Sequence, residues 1–282
     1  MLSKKTYVGI GGAVPLLLEP RNREELMEAI ETLRKENLAF RILGGGSNLL
    51  VDDRGLSEVI ISTRSLSRLY KIEDDELSFG VEAGVSTARF VTTCQKFGLS
   101  GAECLIGIPG TMGGAAVMNA GGRHGSISSL IRGAKILTSE GTLEHRDLSP
   151  QVFGYRSSTL KDEVVVELTV SLVKGDKKAI WNSMSTILQE KKKTQPLMKK
   201  SCGCIFKNPE CGSAGKLLDS AGMKGRVSGG AVVSDLHANF IINKGHCSFK
   251  DYYSLIQLGR EEVKRIHGVD LEQEVETWYH GG

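Results

Sequence analysis

The segment RILGGGSNLL, residues 41–50, and the segment GIPGTMGGAAVMNAGG, residues 107–122, decide the fold. In the first, three glycines and a serine follow directly on a short apolar run that reads as a strand. Successive backbone amides with no Cβ in the way form a concave nest for a phosphate, and Ser47 and Asn48 add side-chain hydrogen bonds. The loop is not a P-loop, because no lysine follows its last glycine, and it is not the GxGxxG turn either. Taken alone, such a loop is more often a plain turn. In the second segment Pro109, Gly110, Gly113 and Gly114 again expose backbone amides, Thr111 offers a hydroxyl, and Ala115 and Ala116 permit close approach of something large. Two such loops imply an extended diphosphate ligand.

Outward from the loops, the 282 residues, 40% apolar and 24% charged, suit about two globular domains. The longest apolar stretch near the start, 13–18, is short and contains Pro15, so neither a signal peptide nor a membrane span is expected and a cytoplasmic address follows. A net charge of +3 is too small to suggest a nucleic-acid protein. Lys191, Lys192, Lys193, Lys199 and Lys200 nonetheless cluster, either around a small anion or as the solvated end of a helix. The six cysteines include no CxxC pair. Reduced thiols fit best, and the irregular spacing of Cys202, Cys204 and Cys211, with His237 and His246 far downstream, argues against zinc.

Asn22 and Glu25 form a capping box ahead of the stripe Leu26, Ala29, Ile30 and Leu33, which predicts a helix ending near Asn37. Strands are expected at 40–43, 59–62, 134–138 and 163–173, with a hairpin of arms 69–73 and 77–82 turning at Asp74 and Asp75. Ser86 opens a helix carrying Phe90, Val91, Cys94 and Phe97, stopped by Gly98. Further helices at 179–193, 214–221 and 249–267 go with strands near 227–233 and 240–243. The charged turn of composition at 174–177 places a domain boundary near 175, giving domains 1–175, itself split near 65, and 176–282.

The motifs LGGGSNLL, GIPGTMGGA, VMNAGG, FGYRSS, GCIFKNP, AGKLLDSAGMKG and VVSDLHANFIIN, in that order, resemble those of the UDP-N-acetylenolpyruvoylglucosamine reductases, from about Thr6 to Val275. The short interval 175–200 leaves no room for the tyrosine-bearing loop of one subclass, so the likeness is to the shorter, type II subclass. The resemblance implies an α+β chain: a two-subdomain FAD-binding fold of the vanillyl-alcohol-oxidase (PCMH) type, then an α+β substrate-binding domain. It implies contacts from Gly44, Gly45, Gly46, Ser47 and Asn48 to the FAD pyrophosphate, and from Ile108, Pro109, Gly110, Thr111, Gly113, Gly114 and Ala115 along the cofactor. No histidine stands between Gly44 and Leu50 to tether the flavin, so noncovalent FAD is expected, and His124 reads as a surface residue.

The resemblance further implies NADPH as hydride donor and UDP-N-acetylglucosamine enolpyruvate as the small-molecule substrate, reduced to UDP-N-acetylmuramate for peptidoglycan precursors. No nucleic-acid or membrane partner is expected. Hydride addition at the β carbon pushes charge onto the substrate carboxylate, which must be held while the α carbon is protonated. Arg156 matches the family arginine and Glu274 the family glutamate. Cys204 falls where relatives carry serine, so its thiol takes the place of the proton donor; the alternative is a packing cysteine. A free thiol has a pKa near 8.5 and is mostly protonated at neutral pH, but cationic Lys207 and Arg156 would lower it, and a thiolate has no proton to give. Cys202 has no family role and reads as a neighbour open to oxidation. Lys207, Asn208, Lys216, His237 and Asn239 sit in motifs that line the family's substrate pocket. Lys192 aligns with an arginine near the diphosphate but lacks its bidentate fork, and Glu276 stands where relatives commonly carry arginine.

Two other readings remain at this stage. Another flavoenzyme of the same fold would share the glycine loops but has no reason to carry FGYRSS, CIFKNP and Glu274 together. A decayed nucleotide-binding regulator would account for the changes at Cys204, Lys192 and Glu276, yet not for Arg156 and Glu274.

Overall fold

The computed structural model describes residues 1–73, 75–138 and 140–281. The chain forms two compact units. One gathers residues 1–15, 46–57 and 191 onward; the other holds 16–45 and 58–190.

Two larger sheets, with smaller two-stranded pairings beside them, build the unit of 16–45 and 58–190. A three-stranded parallel sheet runs in the order Leu17–Leu18, Val59–Ser62, Phe40–Leu43. Helix α1, Arg23–Lys35, lays Leu26, Ile30 and Leu33 against Val59 and Ile61. Asn22 caps it by accepting the Glu25 N–H, but the Glu25 carboxylate bonds the Arg21 N–H, one residue outside the expected capping box. The second sheet is antiparallel, in the order Leu143–Asp147, Ile131–Leu137, Val164–Ser171, Asp75–Glu82, Leu69–Ile72. Val164, Val165 and Val166 are all buried, as a run of β-branched residues in a covered strand demands. The expected hairpin arms pair, while Asp74 of its turn lies outside the described residues. Helix α2, Thr87–Phe97, starts at Ser86, which accepts the Arg89 N–H, and stops at Gly98 with φ +70. Cys94 faces the core, but Phe97 is 55% exposed and caps no apolar stripe. Two more helices complete this layer: α3, Met112–Val117, and α4, Lys177–Thr194.

In the unit that includes 191 onward, helices α5, Ala214–Ser220, and α6, Phe249–His267, pack against a small antiparallel sheet of Val227–Ser228, Ala231–Val233 and Ile241–Asn243. Ser248 and Asp251 form a reciprocal capping box for α6. The strand Leu49–Val51, leaving the first glycine loop, pairs in parallel with Glu276–Trp278.

The units depart from the contiguous domains expected from sequence, and packing explains why. Ile180 and Met184 of α4 join the core formed by Phe90, Leu105 and Leu168, so the chain changes unit after Glu190 and not near 175. The 49–51 strand is drawn into the unit of 191 onward by its pairing with 276–278, a link across most of the chain that composition shifts do not register.

Candidate active site

The two glycine loops meet in the unit that holds Gly44 and Gly45. A Cβ on Gly45 would lie 2.4 Å from Gly110 Cα and 3.0 Å from Thr111 N; one on Gly44 would lie 2.9 Å from Thr111 Oγ1. Only glycine lets the two backbones approach this closely. Arg64 braces the first loop, donating from Nε to the Gly44 carbonyl (3.3 Å) and from Nη2 to the Gly45 carbonyl (2.5 Å). Nothing local in the sequence marks this arginine, and the motif reading missed it.

Backbone bonds pin the second loop. The Thr87 hydroxyl donates to the Ile108 carbonyl and the Thr87 N–H to the Gly110 carbonyl, while the Met112 and Gly113 N–H groups donate to Val85 and Ala83. The Gly113 N–H is thus already engaged, and its missing side chain is explained by Ala83, whose Cβ would lie 2.7 Å from a Cβ there. Ile108 is half-buried, Pro109 exposed, and Ala115 buried with its N–H on the Thr111 carbonyl. Thr111 opens α3 without capping it. Its Oγ1 is buried and has no hydrogen-bond partner. Leaving a hydroxyl in that state costs ~1–3 kcal/mol, which makes it a donor in waiting. A buried, unpartnered hydroxyl beside side-chain-free backbone is a donor set suited to a diphosphate oxygen, so these residues fit FAD.

Arg156 occupies the two-residue turn of a hairpin in which Phe153–Gly154 pairs with Ser157–Ser158. Its φ is +53, a strained setting for a long side chain. The segment after α3 holds the hairpin there. Arg156 Nη2 donates to the Gly121 carbonyl (2.7 Å), Asn119 Nδ2 to the Gly154 carbonyl (2.7 Å), and Ser158 Oγ to the Val117 carbonyl (2.7 Å). Asn119 itself has φ +43. The motif VMNAGG therefore sets the arginine's position, a role that the sequence reading did not assign to Asn119.

In the other unit, Gly46 approaches Lys5 closely: a Cβ would lie 2.4 Å from the Lys5 carbonyl oxygen. Asn48 Nδ2 donates to the Glu274 carbonyl (3.0 Å), and the Glu276 N–H to the Asn48 carbonyl (3.1 Å). Glu274 in turn donates its N–H to the Ile205 carbonyl (2.8 Å), and Lys207 its N–H to Glu272 (2.8 Å). Cys204 and Glu274, both half-buried, thus sit on two segments zipped together next to the exit of the first loop. On the far side of 205–206 lies Asn239, 2% exposed. Its Oδ1 accepts the Phe206 N–H (2.9 Å), its Nδ2 donates to the Phe206 carbonyl (2.8 Å), and its own carbonyl accepts the Ile205 N–H (2.9 Å). His237 Nδ1 accepts the Asn239 N–H (3.2 Å), which leaves Nε2 to carry the ring proton. Burial, with Lys224 adding to it, lowers the His237 pKa, so the ring is neutral.

Profiles of two families match: "FAD binding domain" over residues 14–147, and "UDP-N-acetylenolpyruvoylglucosamine reductase, C-terminal domain" over residues 195–278. Curated UDP-N-acetylenolpyruvoylglucosamine reductases are similar along nearly the whole chain. That of Anoxybacillus flavithermus is 37% identical, covering 98% of this chain and 91% of its own length. That of Trichormus variabilis is 39% identical, covering 98% and 84%. The crystal structure of the Thermus caldophilus reductase superposes with a TM-score of 0.85 at 35% identity, over 99% of this chain and 97% of that one. The chain belongs to the UDP-N-acetylenolpyruvoylglucosamine reductase family. Its fold is accordingly the two-subdomain FAD-binding type with an α+β C-terminal domain.

The remaining family positions fall as follows. Lys207 pairs with Glu272 at 2.7 Å, and Asn208 Oδ1 accepts the Ala214 N–H, holding the start of α5. Lys216 is exposed on α5, and Lys192 is exposed on the last turn of α4. Glu276 is half-buried opposite Leu49. Cys202 corrects the sequence reading: it is 2% exposed, its thiol donates to the Leu49 carbonyl, and burial pushes its pKa up to about 12, so it is protonated and poorly placed for oxidation. His124 lies 3.0 Å from Glu190, which also pairs with Arg123. No helix among the described residues is long and apolar enough to cross a membrane, and none of their His, Cys, Asp and Glu side chains group to hold a metal.

Proposed function

We propose that this chain reduces UDP-N-acetylglucosamine enolpyruvate to UDP-N-acetylmuramate with NADPH, in the supply of peptidoglycan precursors in the cytoplasm. Membership of the family along almost the whole chain carries this reading. When bound, noncovalent FAD supplies the hydride relay between NADPH and the enolpyruvyl β carbon. The chain's own residues do the rest. Gly44, Gly45 and the Thr111 hydroxyl hold the pyrophosphate. Gly46 and Ser47 extend that loop, and Gly110 with Gly114 lets the cofactor lie against backbone. Arg156 grips the substrate carboxylate through its planar fork and offsets the charge that builds there. The Cys204 thiol gives its proton to the α carbon and regains one from solvent; Glu274 is its neighbour in proton handling. His237, neutral, offers Nε2–H, and Lys207, Asn208, Lys216 and Lys192 supply polar and cationic contacts to the nucleotide.

The test is turnover. Purified protein carrying acid-releasable flavin is expected to oxidise NADPH only when the enolpyruvyl nucleotide is present, with UDP-N-acetylmuramate as product. Binding of the nucleotide with neither flavin nor turnover would favour the decayed regulator instead.

A further inference from the structure

We propose that Asn239 is a positioning residue for the proton donor, and not a contact to the substrate; the proposal rests on the reading of Cys204 above. The carboxamide of Asn239 is the same chemical group as a peptide. It faces residue 206 as a neighbouring strand would, accepting the Phe206 N–H at 2.9 Å and donating to the Phe206 carbonyl at 2.8 Å, while its own carbonyl takes the Ile205 N–H at 2.9 Å. Segment 205–207 is bonded on its other side to Glu272 and Glu274. One side chain therefore substitutes for a missing strand and completes the ladder.

Three features separate this from a ligand contact. Asn239 is 2% exposed, so no face is left for a nucleotide. Both of its side-chain polar atoms are already matched to partners of the right polarity. Its targets are the two residues directly after Cys204, with Gly203 at φ +77 before it, so the position of the thiol is set by a glycine turn on one side and the amide clamp on the other. Without the clamp the segment after Cys204 keeps its bonds to Glu272 and Glu274 but loses those on its other face, and a displacement of about 1 Å at a reacting group costs on the order of 10²-fold in rate.

Stopped-flow kinetics on the flavin-loaded enzyme tests this, with Cys204→Ala as the reference. Asn239→Ala is expected to slow reoxidation of the reduced enzyme by the enolpyruvyl nucleotide about 10- to 100-fold, to leave reduction by NADPH and the substrate KM near normal, and to speed hydrogen exchange at the Ile205 and Phe206 amides. Asn239→Asp guards against simple misfolding. A protonated carboxyl reproduces the amide's donor and acceptor, and an ionised one loses the donor. That variant should regain reoxidation on acidification, with a limb the wild type lacks, even with neighbouring His237, Lys207, Glu272 and Glu274 unchanged. A raised KM with normal reoxidation at saturation would make Asn239 a substrate contact and overturn the proposal, as would unchanged reoxidation in both Asn239 variants while Cys204→Ala is slow. If Cys204→Ala itself reoxidises normally, the reading of Cys204 fails, and this proposal with it.

Discussion

Replacing Thr111 by valine removes one hydroxyl and keeps the shape. That hydroxyl is buried, caps nothing and has no partner among the protein groups around it. Taking away an unsatisfied polar group of this kind recovers up to ~1–3 kcal/mol, so flavin-free Thr111→Val is expected to be more stable than wild type, by about 2–4 °C in Tm for each kcal/mol. With FAD the sign reverses. If Thr111 Oγ1 donates to a pyrophosphate oxygen, a hydrogen bond to a charged group worth ~1.5–3 kcal/mol disappears, and Kd should rise about 10- to 150-fold. The stabilisation that added FAD confers, which follows ligand concentration over Kd, should shrink to match. Fluorescence titration of acid-stripped protein with FAD, and thermal melts with and without it, read both effects. A variant that binds FAD as tightly as wild type, or whose flavin-free form is less stable, would refute the assignment of this hydroxyl.

Cys204→Ala should leave reduction by NADPH almost intact and slow reoxidation by the enolpyruvyl nucleotide on the order of 10²- to 10⁴-fold, with Cys204→Ser recovering much of it; rapid-mixing spectroscopy of each half-reaction decides. Arg156→Lys should retain flavin yet lose most turnover, since charge survives but the bidentate hold does not; steady-state kcat with a flavin count checks it. Asp52 offers a pH effect: hydrogen bonds from Arg54, chiefly through the side chain, hold its carboxyl at about 2 against an ordinary 3.8. A depressed folded pKa gives stability that is present above 3.8 and lost as pH falls toward 2. Arg54 is largely exposed, so the contribution is no more than ~1 kcal/mol; in Asp52→Asn the acid limb of the stability curve between those values should flatten by that amount.

The sequence disclosed what depends on near neighbours. The stripe of α1, the Ser86 and Gly98 ends of α2 and the buried run 164–166 are read from spacing and backbone preference alone. The glycine loops could be paired with one ligand because both lack side chains for one reason. Long-range partners stayed hidden. An asparagine in a motif looks like a ligand whether its amide faces a nucleotide or a peptide, so spacing alone does not reveal that the Asn48 and Asn239 amides bond the backbones of Glu274 and Phe206. Arg64 carries no local mark, Asn119 stands in a motif whose spacing does not name its partner, and the contact of Gly113 with Ala83 joins residues thirty apart. Unit membership is hidden for the same reason, since Ile180 and Met184 join a core built almost wholly from earlier residues.

The parallel pairing of Leu49–Val51 with Glu276–Trp278 has a bearing on biosynthesis. A ribosome delivers residue 49 long before residue 276, so the strand leaving the first glycine loop must wait without its strand partner while more than two hundred residues are made. Closing so long a loop is entropically slow, and an open edge in the interim invites pairing with other nascent chains. The apolar triplet at 49–51 is short, and charged Asp52, Asp53 and Arg54 follow it directly, which limits how far a wrong partner can zip along it. Because Asn48 donates to the Glu274 carbonyl in the same closure, the exit of the first glycine loop is held in register only once residues 274–278 have joined it.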